Sequence, residues 1–375
     1  MRYLFLLFFL IMPLQHADSA WFNNAWNYKV KVEVNPNKVG TTTAITSFPV
    51  YVDLAGMPST FWTNASSTGA DIRVVESDEI TETAFELVSF ATTTQAGELH
   101  FMADSLGTTS TSTFYIYYGN ATATAYAVTA TYGRNNVWSN YIAVWHLAET
   151  SGNASDYSGN NRTATNTNAT YTAVQIGNGA DYNGTSAFHA VGDVSALEPA
   201  SFSWSFWFEF DSQTGNPFLI DRYNAIVADG YRIYGSGTSK INVNVRRSGA
   251  DVDVTSSSTL SNSTKYYGTA TYDNGITRFY LNGNIDGTKT NGTGAVLYNA
   301  AATNVGFGQR RTGAAGTYLN GRLDEVRFTS TVNSASWILT EYNNQSSTST
   351  FLWIGPEEAR STSTIYYSDD AFWFE

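Results

Sequence analysis

The chain of 375 residues contains no cysteine. That absence excludes disulfides, a lipoprotein anchor, a thiolate metal site and a cysteine nucleophile together. Positive charge is also scarce: 20 Lys and Arg stand against 32 Asp and Glu, a formal charge of −12. The arginines are scattered apart from the pairs Arg246-Arg247 and Arg310-Arg311. Such a surface repels phosphate backbones and argues against nucleic acid as a partner. Beyond the first residues no apolar run approaches the ~20 that a membrane-spanning helix requires. No Gly-x-Ser-x-Gly, P-loop or His-Glu-x-x-His motif occurs.

The start of the chain sets the expected compartment. Arg2 precedes an apolar block, Tyr3 to Leu14, followed by the small-residue exit Ala17, Asp18, Ser19 and Ala20. This pattern predicts a secretory signal peptide over residues 1–19, cleaved after Ser19, and a protein that is secreted or at the cell surface. An exported chain without disulfides must draw its stability from large cores, and its length allows two.

Aromatics reach 15% of residues while charged residues reach only 14%. With abundant Thr, Ser, Asn and Gly, this is the composition of strands joined by tight turns. Tyr28 to Val34 alternates apolar and charged side chains with period two, as a half-buried strand does. Phe48 to Leu54, Asp71 to Glu76, Phe85 to Phe90, Glu98 to Met102 and Thr113 to Tyr118 read similarly. A second series runs from Tyr141 through Phe202 to Phe210 and Tyr266 to Tyr272. Within it, Asn282-Gly283 between two strand-like runs predicts a type I′ hairpin. Ser334 to Asn344 predicts one helix with a serine cap, and Phe351 to Ile354 a closing strand. The expected fold is all-β: two β-sandwich (jelly-roll) domains in tandem over 20–128 and 136–358, a linker at 129–135 and an aromatic-acidic tail at 359–375.

Val144-Trp-His-Leu147, Asp156-Tyr-Ser-Gly-Asn160, Ala180-Asp-Tyr-Asn-Gly184, Phe202-Ser-Trp-Ser-Phe-Trp-Phe208, Phe279-Tyr-Leu-Asn-Gly283 and Gly321-Arg-Leu-Asp-Glu-Val-Arg-Phe328 follow one another in order. Together they resemble the LamG-like, concanavalin A-like jelly-roll family over Asn136 to Glu358. The Trp-rich start Ala20 to Trp26 and the run Phe114-Tyr-Ile-Tyr-Tyr-Gly-Asn120 resemble domain of unknown function 2341, which is found ahead of LamG-like domains in secreted bacterial proteins. The second resemblance implies another sandwich and brings no activity with it. The first implies a structural calcium ion near Asp156, in a loop offering a carboxylate, amide oxygens and Gly159, and near Asp324. The alternative is that Asp156 makes an Asx-turn and Asp324 pairs with Arg322 or Arg327.

Because this fold also houses glucanases, carboxylate pairs matter. Those enzymes carry acids two apart on one strand, which share a face. Glu76-Ser77-Asp78-Glu79 is the nearest approach, with Ile80 and Thr81 where the last Glu should stand. Strict alternation puts Asp324 and Glu325 on opposite faces. His100, His146 and His189 show no ligand spacing. The sequence therefore predicts no catalytic residues and no enzyme. A glycan site needs aromatic platforms beside convergent polar groups; Tyr157, Tyr223, Tyr231 and Tyr318 are the candidates, while Trp204 and Trp207 are assigned to the core. The leading expectation is a recognition protein that binds carbohydrate or an extracellular partner protein. The alternative is a structural subunit of a filament, surface layer or virion exterior, self-associating through the aromatic stretch Ile365 to Glu375.

Overall fold

The computed structural model describes residues 21–361, except 41–42, 193–194, 225–228, 299–303 and 312–315. The expected signal peptide and the stretch Ile365 to Glu375 lie outside the described residues, as does the self-association expected of that stretch.

Alternation builds the first strand as expected. In Tyr28–Val34 the residues Val30, Val32 and Val34 are buried. This strand lies in a five-stranded antiparallel sheet whose order is Leu352–Ala359, Tyr28–Val34, Ser112–Tyr118, Arg73–Glu76 and Glu82–Thr83. A three-stranded sheet of Ile45–Asp53, Ala96–Leu106 and Phe85–Ala91 accompanies it. Apolar residues of both sheets, among them Val30, Phe48, Phe101 and Ile116, form one core.

The second sandwich is larger. One sheet orders Thr170–Ala173, Asn178–Asn183, Asn320–Thr329, Phe202–Ser212, Lys265–Asp273, Ile276–Leu281 and Asn284–Thr290, with Ala143–Trp145 also paired to Asn320–Thr329. The other orders Ala250–Asp251, Lys240–Arg247, Asp229–Ser236, Phe218–Asn224, Val305–Phe307, Phe188–Val191 and Thr165–Thr167. The core between them is dry and aromatic. Trp204 stacks on Phe328 with centroids 4.1 Å apart, and lies nearly parallel to Trp145 at 6.2 Å. The hairpin forms as predicted: Leu281 pairs with Asn284, and Asn282 and Gly283 take φ of 50° and 80°, the two positive angles a type I′ turn demands.

Three expectations change. The closing strand, placed at the end of the second sandwich, extends over Leu352–Ala359 and pairs instead with Tyr28–Val34 of the first. Phe351 and Leu352 complete the first core, so the first sandwich is built from both ends of the described chain. The expected linker at 129–135 merges into a short helix, Arg134–Val137, and Val137 and Trp138 are fully buried. Trp207 is buried, but on the face opposite Trp204, where its Nε1 donates to Gln345 Oε1 at 2.6 Å.

That partner belongs to the helix Ala335–Ser346, capped by Ser334, whose Oγ accepts from Trp337 N at 3.1 Å. The helix joins the two sandwiches. The amide of Asn344 accepts from Tyr51 N at 2.7 Å and donates to Tyr51 O at 2.8 Å, closing the free edge of Ile45–Asp53. Thr340 Oγ1 accepts from Gly40 N at 2.8 Å, and Trp337 packs edge-on against Phe48.

Candidate functional site

Beneath this helix lies a seam of buried charge. Among the residues of Asn320–Thr329, Leu323, Val326 and Phe328 point into the dry core. Leu323 and Val326 are three apart, which strict alternation forbids. A β-bulge accounts for it: the register opposite shifts between Ser205 and Trp207, and Glu325 takes a φ of 50°. The extra residue turns Asp324, Glu325 and Arg327 all outward into the seam. The expectation that the two acids occupy opposite faces is thereby corrected.

Glu325 Oε1 lies 2.6 Å from His146 Nδ1, and its Oε2 accepts from Arg327 Nε at 3.1 Å. Arg327 Nη1 donates to Glu341 Oε1 at 2.9 Å. The other nitrogen of His146, Nε2, lies 3.1 Å from Glu86 Oε2, which also accepts from Trp138 Nε1 at 2.5 Å. These groups are all buried. Burial alone would lower the His146 pKa, but Glu325 and then Glu86 outweigh it and raise it to about 10. Burial would raise Glu325, yet His146 and Arg327 hold it well below the usual carboxylate range. Asp324 is pushed well up, first by burial and then by Glu325, and Glu98 is raised to about 7 by the same two causes. His100, stacked on His146 with centroids 5.1 Å apart, is pushed well down by burial.

Beside the seam, and sharing Glu86 with it, lies a cleft of about 260 Å³. Its wall from the first sandwich carries Thr68, Glu86, Tyr126 and Val128; Arg134 and Tyr157 close it from the other side. Tyr126 is half-buried, with its Oη donating to Glu82 Oε2 at 3.1 Å and the Arg73 guanidinium 4.1 Å from its ring. Tyr157 is half-buried between the edge of His146, 4.7 Å away, and the Arg134 guanidinium, 4.9 Å away. The cleft thus combines aromatic rings, a cationic fork and polar atoms in one concave surface.

The other predicted residues scatter. Tyr223 is on the outer face of the second sandwich, under the Arg232 guanidinium at 4.3 Å. Tyr318 is half-buried in the segment entering Asn320–Thr329. Tyr231 is not a surface platform: its ring is fully buried in the core and its Oη donates to Leu197 O at 3.0 Å. Asp156 forms the turn foreseen as the alternative to calcium, with Oδ1 accepting from Val144 N and Ser158 N and Oδ2 from Arg162 N. Asp324 accepts from Ile176 N at 2.9 Å through Oδ2 and does not pair with Arg322 or Arg327. The two aspartates therefore serve different segments, one the loop after Ala143–Trp145 and the other the turn at Ile176. Glu86, Tyr126 and Arg134 were not singled out by sequence reasoning, because nothing in their spacing marks them.

Residues 183–339 match the family model described as the concanavalin A-like lectin/glucanases superfamily. The second sandwich therefore contains a concanavalin A-like domain. The match does not reach the first sandwich, whose resemblance to domain of unknown function 2341 rests on its motifs alone. No curated protein matches the chain. Among solved structures, one similar fold is domain 4 of a GH43 extracellular arabinanase from Geobacillus stearothermophilus, in complex with arabinotriose. It is 16% identical, covers 54% of this chain and 98% of that one, and has a TM-score of 0.41. The binding domain of Paraclostridial Mosquitocidal Protein 1 is 16% identical over 54% of this chain and 52% of its own, with a TM-score of 0.44. A Trypanosoma rangeli sialidase is 13% identical over 66% and 43%, also at 0.44. The chain spans about half the length of the toxin domain and less of the sialidase. The expectation that the chain is not an enzyme is corrected at this point. The matched model is described as a superfamily of lectins and glucanases, and the similar structures include a domain of an arabinanase and a sialidase; the non-catalytic reading is withdrawn.

No helix among the described residues is long and apolar enough to cross a membrane.

Proposed function

We propose that this chain is an extracellular carbohydrate-binding protein whose glycan lies in the cleft between the two sandwiches. The carrying observation is the cleft itself, with Tyr126 and Val128 on one wall and Tyr157 and Arg134 on the other. The C–H faces of a sugar ring pack on apolar and aromatic surface, while its hydroxyls take the guanidinium and neighbouring polar atoms. The matched superfamily of lectins and glucanases supports the same ligand class. A net charge of −12 favours a neutral glycan over an anionic one.

Screening the mature protein on a glycan array, followed by titration calorimetry on the best oligosaccharide, tests this reading. Tyr126→Ala and Arg134→Ala should each weaken binding by roughly tenfold or more, about 1.4 kcal/mol, in proteins whose circular dichroism shows that they remain folded. A protein that binds no glycan on the array, or variants that bind as tightly as the wild type, would overturn it.

A further inference from the structure

His100 is fully buried on the strand Ala96–Leu106, and neither of its ring nitrogens has a hydrogen-bond partner. A buried polar group left unpaired is costly, and native structures rarely tolerate one without a reason. Both nitrogens of the same ring are unpaired here. The ring lies against His146, and possible ligand atoms of His100, His146 and Glu325 are all within 4.8 Å of one another. Among the described residues this is the one such grouping of three.

We propose that the seam binds one divalent transition-metal ion, zinc by ligand type, through His100, His146 and Glu325. Two imidazoles and a carboxylate are a donor set suited to zinc. Donors around a tetrahedral zinc stand roughly 3.3 Å apart at bond lengths near 2.0–2.1 Å, so loading draws the widest pair together by up to about 1.5 Å and opens the 2.6 Å approach of His146 Nδ1 to Glu325 Oε1. The surrounding groups are arranged as outer-shell partners of a metal site are. His146 meets the Glu86 carboxylate through the nitrogen that does not face Glu325, and Glu325 uses its second oxygen on Arg327. The ion takes the place of the proton now shared between His146 Nδ1 and Glu325 Oε1, and that proton leaves to solvent. Glu325 and Glu341 pair with the Arg327 guanidinium, while Glu86 lies on the far side of His146; these three carboxylates are matched by a single guanidinium, and a divalent cation brings the four groups to charge balance. Because His100 comes from the first sandwich and the other two ligands from the second, the ion is a clasp between them.

The test uses the full mature chain, unfolded in denaturant with chelator and refolded with or without one equivalent of Zn²⁺ or Co²⁺. The expected result is about one ion retained per chain and the visible absorption of tetrahedral Co²⁺. The melting midpoint should rise by roughly 5–10 °C at metal concentrations well above Kd. His100→Phe keeps a ring in the same space but cannot ligate, so it should fold, melt with the metal-free wild type and give no Co²⁺ spectrum; His100→Gln serves if the phenylalanine variant does not fold. Wild-type protein that retains no ion and shows neither spectrum nor shift would overturn the proposal. So would a His100 variant that binds as the wild type does, and a metal-free wild type would leave His146 a purely ionic clasp between Glu86 and Glu325.

Discussion

Arg327 and Phe328 are neighbours on one strand, and both are buried, yet they face different kinds of interior. Phe328 stacks on Trp204 in a core held together by apolar contact. Arg327 enters a seam where Glu325, Glu341, His146 and Glu86 must satisfy one another. A dry core is tolerant of rearrangement if its volume is kept. A buried ionic network is not, because removing one member strands the others without water. The second sandwich is therefore stable through its own packing, whereas its union with the first adds a buried polar network to the apolar contacts of Trp138 and Trp337.

Cutting the two neighbours separately makes the sharpest contrast. Phe328→Ala should cost about 3–5 kcal/mol through lost burial and a cavity. Arg327→Met should cost a similar ~3–5 kcal/mol by leaving Glu325 and Glu341 buried without their cation. Urea unfolding measures both. The difference lies in rescue: adding Glu325→Gln and Glu341→Gln should recover much of the Arg327→Met loss, while nothing in the seam should rescue Phe328→Ala. An Arg327→Met protein as stable as the wild type would erase the distinction between the regions.

Two buried histidines extend the comparison. His146, between carboxylates, is raised to about 10, whereas His189 accepts no charge partner and is lowered by burial to about 4. His189 lies between the hydroxyls of Tyr182 and Tyr171, at 3.0 and 3.1 Å. Between the unfolded pKa near 6.5 and the folded one near 4, the unfolded chain binds a proton that the folded chain does not. Its contribution is therefore present above pH 6.5 and lost as pH falls towards 4, in all about 3 kcal/mol. His189→Gln should flatten the stability profile over that window relative to the wild type. A variant with an unchanged slope would show that His189 does not titrate as described.

Smaller effects fall on the joining helix. Asn344→Ala removes both bonds to the Tyr51 backbone and should cost about 2 kcal/mol, observed first as faster amide exchange in Ile45–Asp53. Ser334→Ala removes the helix cap and should cost about 1 kcal/mol.

These contrasts also explain what the sequence could and could not reveal. The alternation in Tyr28–Val34, the Asn282-Gly283 turn and the Ser334 cap are local signals, and each produced the expected element. The seam has no local signature. His146 meets Glu325 across 179 positions and Glu86 across 60, so no spacing motif can announce it. Period-two reasoning failed at Glu325 because one bulged residue reverses the face of what precedes it. The strand Leu352–Ala359 was assigned to its sequence neighbours because its partner, Tyr28–Val34, lies at the other end of the chain. Tyr231 was misplaced for a simpler reason: in a strand bordered by loops, alternation alone does not say which face is inward.

Hydrogen exchange of the protein, with and without an oligosaccharide selected on the array, tests the proposed location of the site most directly. The cleft account predicts that added protection concentrates at Phe85 to Leu87, Ala125 to Arg134 and Tyr157. Protection confined to the outer face around Tyr223, Arg232 and Tyr234, with the cleft segments unchanged, would contradict it.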